Sequence, residues 1–199
     1  GEVIYVGTDD ARVWRTTDGG AHWTDRSAGL PDRWVTRVAI DPVDPDIAYV
    51  AQSGYRSDDP AARLHRTTDG GATWTGIAAG LPEAPVNALV IDPAAPNLLY
   101  AGTDVGVFVS PDAGGSWSEL APGLPVSVIQ DLVLHAPTRA LVAFTHGRST
   151  YRLELPDPAG IAEQVGGQPG GRSAGGAERG RVLRWLELSP NPYRPGAGQ

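Results

Sequence analysis

Asp9, Asp10, Asp32, Asp58, Asp59, Glu83 and Asp104 are the side chains whose chemistry would become catalytic if the fold brought two of them together. Hydrolysis of a glycosidic bond needs an acid and a second carboxylate about 5 to 9.5 Å apart across the scissile bond, a separation that sequence does not measure. The Asp58-Asp59 pair has neither EF-hand nor nonapeptide spacing, so no metal site is expected, and no cofactor. With no Cys in 199 residues there is no thiolate ligand, no thiol nucleophile and no disulfide framework.

A second constellation suits binding. Tyr55, Arg56, Asp58 and Asp59 fall in an inserted stretch, residues 54–63, that also carries Arg63. Tyr55 or Trp34 would stack on a sugar ring while Arg and Asp side chains bond its hydroxyls, and Arg148 joins them from a neighbouring hairpin. The net charge of −7 excludes a phosphate-binding surface, because nucleic-acid binding rests on clustered cations. A glycan, peptide or protein ligand fits instead. His146 is the histidine best placed to face a ligand. His22 sits inside a turn, and His65 and His135 fill repeat positions held elsewhere by aromatic or Asp residues.

The elements that must position these groups come from a repeat. Thr16, Asp18, Gly20 and Trp23 recur as Thr67, Asp69, Gly71 and Trp74, and again as Ser110, Asp112, Gly114 and Trp117. Each set is followed by Gly-Leu-Pro, at Gly29-Leu30-Pro31, Gly80-Leu81-Pro82 and Gly123-Leu124-Pro125, with spacings of 51 and then 43 residues for both features. Between them lie short apolar, β-branched runs, residues 35–40, 86–91 and 128–134, then 47–51, 98–102 and 140–144, which read as strands. Four strands in about 43 residues, joined by tight turns, is a propeller blade. The expected fold is therefore all-β: a partial β-propeller of four-stranded antiparallel blades, about three and a half of them, with a flexible C-terminal tail. Tyr49 to His65 spans 16 residues and the equivalent Tyr100 to Phe108 spans 8, which locates the insertion between the second and third strands of one blade.

The [Ser/Thr]-x-Asp-x-Gly-x-x-Trp pattern with its constant Gly-Leu-Pro resembles the Asp box, or bacterial neuraminidase repeat. Propellers of sialidases, xyloglucanase-type glycoside hydrolases, sortilin-type receptors and photosystem II assembly factors carry it. The resemblance covers residues 2 to 155, and Thr145-His146-Gly147-Arg148 is similar to the closing blade of such proteins, with Ser149 in place of a usual Gly. It implies that the Asp-containing turns are structural and sit on the face opposite the ligand. Physically, Asp and Thr side chains satisfy turn amides, Gly supplies positive φ, and Trp covers the hairpin. The Arg-Ile-Pro opening motif of sialidases is absent. The expected function is a secreted or cell-surface binding module without a complete catalytic site, leaning away from an enzyme. The alternative is a fragment of a glycoside hydrolase whose catalytic groups lie partly on other blades.

Beyond the propeller, residues 1–155, the Gly/Pro-rich stretch 156–180 reads as a linker. Residues 181–199 alternate like a strand into Pro190-Asn191-Pro192-Tyr193 and resemble the start of a flagellar hook-capping type immunoglobulin-like domain. That resemblance implies a bacterial protein at the cell surface or outside the cell. There is no 18-residue apolar run and so no membrane span. The array is expected to need either upstream blades or self-association to complete its ring.

Overall fold

The second and third blades each begin from a hairpin whose turn is closed by a carboxylate. Asp41 Oδ1 accepts the amides of Val43 (2.8 Å) and Asp44 (3.1 Å), and Asp92 Oδ1 accepts that of Ala94 (3.0 Å). In the fourth repeat His135 holds this place, a short 3-10 turn (Ala136–Thr138) follows, and Arg139 takes the left-handed conformation with φ 52°.

The computed structural model describes residues 2–54, 58–121, 123–166 and 183–188. The first sheet contains β1 (Ile4–Gly7), β2 (Val13–Thr16) and β3 (Thr24–Asp25). The second contains β4 (Trp34–Ile40), β5 (Ala48–Gly54), β6 (Asp59–Thr67) and β7 (Thr75–Gly76). The third contains β8 (Val86–Ile91), β9 (Leu99–Thr103), β10 (Val107–Ser110) and β11 (Ser118–Glu119). The fourth contains β12 (Ile129–His135), β13 (Ala140–Thr145), β14 (Thr150–Glu154) and β15 (Leu186–Glu187). All pairings are antiparallel between successive strands, as a propeller of up-and-down blades requires.

The sheets stack face to face in chain order, with β1, β4, β8 and β12 packed in succession along the inner edge. Three apolar clusters fill the spaces between them. Tyr5, Val13 and Val50 belong to the first, Tyr49, Leu64 and Trp117 to the second, and Tyr100, Leu132, Leu141 and Leu153 to the third. Close approach is built in where a glycine faces the next inner strand. A Cβ on Gly102 would lie 2.7 Å from Ile129 Cγ2 and one on Gly7 2.2 Å from Val35 Cγ1, so both positions exclude a side chain as the blades are packed.

β4, β8 and β12 each carry a one-residue register shift at the same repeat position, between Val35 and Arg37, Val86 and Ala88, and Ile129 and Asp131. A bulge re-aims the extra residue and adds twist. The extra residues are Thr36, Asn87 and Gln130, all polar.

Two described segments beyond residue 155 depart from their sequence reading. Residues expected to open a linker instead form α1 (Pro158–Gly166), whose Ile161 is fully buried in the last cluster. The strand expected to begin an immunoglobulin-like module is, over the described residues 183–188, the outer strand of the fourth sheet. Arg152 pairs with Leu186 and Tyr151 with Glu187, and Leu188 N donates to Thr150 O at 2.8 Å. The same bond closes the other sheets, from Arg26 to Val13 (2.7 Å), Ile77 to Leu64 (2.8 Å) and Leu120 to Val107 (3.0 Å). By this register Trp185, 5% exposed, occupies the slot of Trp23, Trp74 and Trp117. The driving force is burial: an edge left bare at β14 would expose the third cluster, and a Trp-Leu-Glu-Leu segment covers it. Pro190, Asn191, Pro192 and Tyr193 lie outside the described residues.

Candidate functional site

The three Asp-containing turns share one hydrogen-bond pattern. Thr16 Oγ1 donates to Asp18 Oδ1 (2.7 Å) and accepts from Gly20 N (3.0 Å), while Asp18 Oδ1 accepts from His22 N (2.9 Å). Thr67, Asp69, Gly71 and Thr73 repeat this at 2.7, 2.9 and 2.9 Å, and Ser110, Asp112, Gly114 and Ser116 at 2.8 Å throughout. The second carboxylate oxygen is also taken, by His22 Nδ1 (2.7 Å), Thr73 Oγ1 (2.7 Å) or Ser116 Oγ (2.8 Å). The hydroxyl and amide of Thr73 hold Asp69 down to about 2. His22 lowers Asp18 in the same way, and at Asp112 the bonds from Ser116 and Ser110 outweigh the opposing effect of burial. These carboxylates are consumed by their own turns and offer nothing to a ligand.

Two of the three Trp residues after these turns, Trp74 and Trp117, bridge blades. Trp74 Nε1 donates to Arg26 O and Trp117 Nε1 to Ile77 O, both at 2.7 Å, and each acceptor belongs to the preceding blade. The turns also reach the Asp41- and Asp92-type hairpins at the same end of the molecule. Gly70 N donates to Asp46 O (2.9 Å) and Ala113 N to Asn97 O (2.7 Å).

At the other end, the β5–β6 and β9–β10 loops and the interblade segments enclose three adjoining depressions. The largest, about 530 Å³, is lined by Asp58, Asp59, Glu83, Pro85 and Asp104. Pro85 and Asp104 pass into a second of about 360 Å³, with Trp34, Asn87, Gln130 and His146. Trp34 and Ser53 pass into a third of about 170 Å³, with Asp9, Asp10 and Asp32. The result is a continuous, acidic groove over the loop face. Trp34 lies near its middle, partly exposed.

Of the residues singled out from sequence, Trp34, Asp58 and Asp59 line this groove. Arg148 is exposed on the β13–β14 loop, two residues beyond the lining His146, and is not among the lining residues. Tyr55 and Arg56 lie outside the described residues. Asp59 is committed internally: its Oδ2 accepts from Arg33 Nε (3.2 Å) and from Arg63 Nη2, and its Oδ1 from Ala61 N (3.2 Å). The Arg63 contact is the main reason its carboxyl sits below the usual range. It ties the start of β6 to the interblade segment at Arg33, while Asp58 forms no ion pair among the described residues. Asp104 is half-engaged, accepting from Asn87 Nδ2 at 2.8 Å, whereas Asp9, Asp32, Asp58 and Glu83 form no ion pair among the described residues. Sequence reading passed over Asn87, Gln130 and Ser53 as site residues. The first two had a signal, a polar residue at one repeat position of consecutive buried strands.

Among the described residues no group of three or more His, Cys, Asp and Glu is placed to hold a metal ion, and no helix is long and apolar enough to cross a membrane.

A stack of antiparallel blades with an inner-edge bulge and a groove on the loop face defines a β-propeller with bacterial-neuraminidase-type repeats. The family model for the photosynthesis system II assembly factor YCF48 matches residues 3–132, and the chain belongs to that family. The photosystem II assembly lipoprotein Ycf48 of Synechococcus sp. (strain CC9902) is 38% identical over 65 residues, 33% of this chain and 17% of that protein. The match thus spans about a sixth of that relative's length. Among solved structures, YCF48 bound to D1 peptide superposes with a TM-score of 0.57 at 19% identity, covering 78% of this chain and 48% of that one. The GH74 xyloglucanase from Xanthomonas campestris gives 0.61 at 20% identity, covering 98% of this chain and 30% of that one. At these identities the likeness is one of fold.

Proposed function

We propose that this chain is a peptide- or protein-binding propeller module of a secreted or cell-surface bacterial protein, with no complete catalytic site of its own. The observation that carries the reading is the acidic groove on the loop face. Among the described residues Asp9, Asp32, Asp58 and Glu83 form no ion pair there, next to the exposed ring of Trp34. Unpaired carboxylates on a rigid rim favour a cationic segment, and a flat aromatic adds apolar contact or a cation–π partner for Arg or Lys. Two neighbours support a peptide ligand: a structure of YCF48 bound to D1 peptide, and a curated relative named as an assembly lipoprotein. A glycan ligand remains the competing chemistry, because Trp34 and the carboxylates would equally stack on and hydrogen-bond a sugar. The ring itself is completed by further blades or by self-association.

The test is fluorescence anisotropy with three labelled probes: an Arg/Lys-rich decapeptide, its Glu-rich counterpart and a xyloglucan oligosaccharide. The basic peptide is expected to bind in a salt-sensitive manner, and the combined Asp32→Asn, Asp58→Asn, Glu83→Gln variant to bind at least about tenfold more weakly. Equal binding of the two peptides, no effect of the triple variant, or binding or cleavage of the oligosaccharide alone would overturn the proposal.

A further inference from the structure

The interblade segments that follow Gly-Leu-Pro make similar turns and hold them by different means. Arg33 N donates to Pro31 O and Ala84 N to Pro82 O, both at 2.8 Å. In the segment before β12, Ser127 Oγ donates to Pro125 O at 3.0 Å. One residue further along each segment stand Trp34, Pro85 and Val128, and all three line the depression of about 360 Å³. Pro85 has its φ fixed by its own ring. Trp34, the largest of the three side chains, lacks such a constraint on its backbone.

The constraint comes instead from Gln52. Register places Gln52 opposite Val35 as Thr103 is opposite Val86 and Thr145 opposite Ile129. A Thr therefore holds this position in the third and fourth sheets, and its hydroxyl serves its own hairpin. Thr103 Oγ1 donates to Gly106 O (3.0 Å) and accepts from Val105 N (3.2 Å), and Thr145 Oγ1 accepts from Ser149 N (2.9 Å). Thr8, one residue past β1, does the same for Arg12 N (3.1 Å).

Gln52 departs from this pattern in the blade that carries the insertion. Fully buried, it leaves the β5–β6 loop to other bonds, and its Nε2 donates to Pro31 O (2.8 Å) and Arg33 O (3.1 Å). Both partners are carbonyls, which only accept, so the nitrogen of the carboxamide must face them. Its Oε1 is buried with no hydrogen-bond partner among the described residues, so the bonding falls to the NH2 group alone. On the other flank Asp59 accepts from Arg33 Nε and Nη2, both at 3.2 Å. The segment that leads into Trp34 is thus fastened from β5 and from β6.

We propose that Gln52 is a positioning residue for the groove, fastening residues 31–33 so that the Trp34 ring is in place before a ligand arrives. This role rests on the peptide-binding reading above. The ligand it favours is a cationic peptide whose Arg or Lys stacks on the ring. An aromatic side chain ordered in advance loses less freedom on contact, an advantage of about three- to tenfold in affinity.

The test uses the whole chain with Gln52→Met, which keeps the length of the side chain and removes its donors, and Gln52→Thr, the residue of the other sheets. Either change also removes the orphaned acceptor, which offsets part of the lost bonding, and urea midpoints confirm that each variant is folded. Amide exchange at Arg33 should be at least about tenfold faster in both variants, with exchange in β9 unchanged. In fluorescence anisotropy the Arg/Lys-rich decapeptide should bind Gln52→Met about three- to tenfold more weakly, with the same salt dependence, because no charge is altered. In a Trp34→Ala background Gln52→Met should change affinity by less than about twofold, since the two residues act through one ring. An equal loss in both backgrounds, an altered salt dependence, or unchanged exchange at Arg33 would overturn the assignment. Should the unsubstituted protein ignore the basic peptide, the groove reading falls by itself; exchange at Arg33 then decides the clamp, faster exchange keeping it and unchanged exchange removing it.

Discussion

The same tryptophan of the same repeat should carry very different weight depending on whether its indole bonds a neighbouring blade. Trp117 is 7% exposed and donates to Ile77 O at 2.7 Å, while Trp23 is 41% exposed and makes no such bond among the described residues. Truncating a buried Trp to Ala costs about 3 to 5 kcal/mol, and the stranded Ile77 carbonyl adds to that, so Trp117→Ala should lose about 4 to 6 kcal/mol. Trp23→Ala removes a half-covered ring and should lose about 1 to 2 kcal/mol. Trp117→Phe, which keeps most of the apolar contact and removes the N–H donor, should lose about 1 to 3 kcal/mol. The assay is urea unfolding followed by far-ultraviolet circular dichroism with linear extrapolation. It is run at low protein concentration, so that no intermolecular contact covers Trp23. Losses for Trp23→Ala and Trp117→Ala that agree within about 1 kcal/mol would refute the interblade role of the indole and return it to a local cover for its own hairpin.

Arg139 Nη1 meets the fully buried Asp92 Oδ2 at 2.6 Å, so Arg139→Ala leaves a buried charge unpaired and should cost about 3 to 5 kcal/mol in the same melts. Removing residues from 183 onward should destabilise the fourth blade by stripping Trp185 from its cluster, seen as a lower midpoint and increased dye binding; unchanged melting would return the segment to a tail. Stability should fall with acid in two steps. His65 is half-buried, and this desolvation, with Arg63 nearby as a lesser influence, lowers its pKa; the unfolded chain therefore takes up a proton first as pH falls below about 6.5, and His65→Gln should flatten that step. Asp69, held down to about 2, contributes stability that is present above its ordinary value of 3.8 and is lost as pH falls towards 2; Asp69→Asn should shrink this second step in pH-dependent thermal melts. Asp59→Asn should loosen the β5–β6 loop, read as faster amide exchange at Ala61, whereas Asp58→Asn should leave exchange unchanged.

The blades were legible because their causes are local and repeated. Thr or Ser, Asp and Gly at fixed offsets can close a turn without help from elsewhere, and apolar runs of strand length between such turns leave few alternatives to antiparallel hairpins. The same periodicity assigned His65 to a packing position and the insertion to the β5–β6 loop. Tertiary structure decided everything that depends on which repeat sits beside which. Asp58 and Asp59 are adjacent and chemically identical in the sequence, but only the fold brings Arg33, 26 residues away from Asp59, to occupy its carboxylate, while Asp58 forms no ion pair among the described residues. The groove joins residues from three blades, as Trp34, Asp104 and His146 do, and no local pattern encodes that convergence. Trp185 gave the sequence no repeat signature, since neither an Asp turn nor a Gly-Leu-Pro accompanies it. It takes the fourth Trp slot because a bare sheet edge over an apolar cluster is costly, and the nearest segment able to pair with β14 and bury an indole belongs to the residues that composition alone had set apart as a tail.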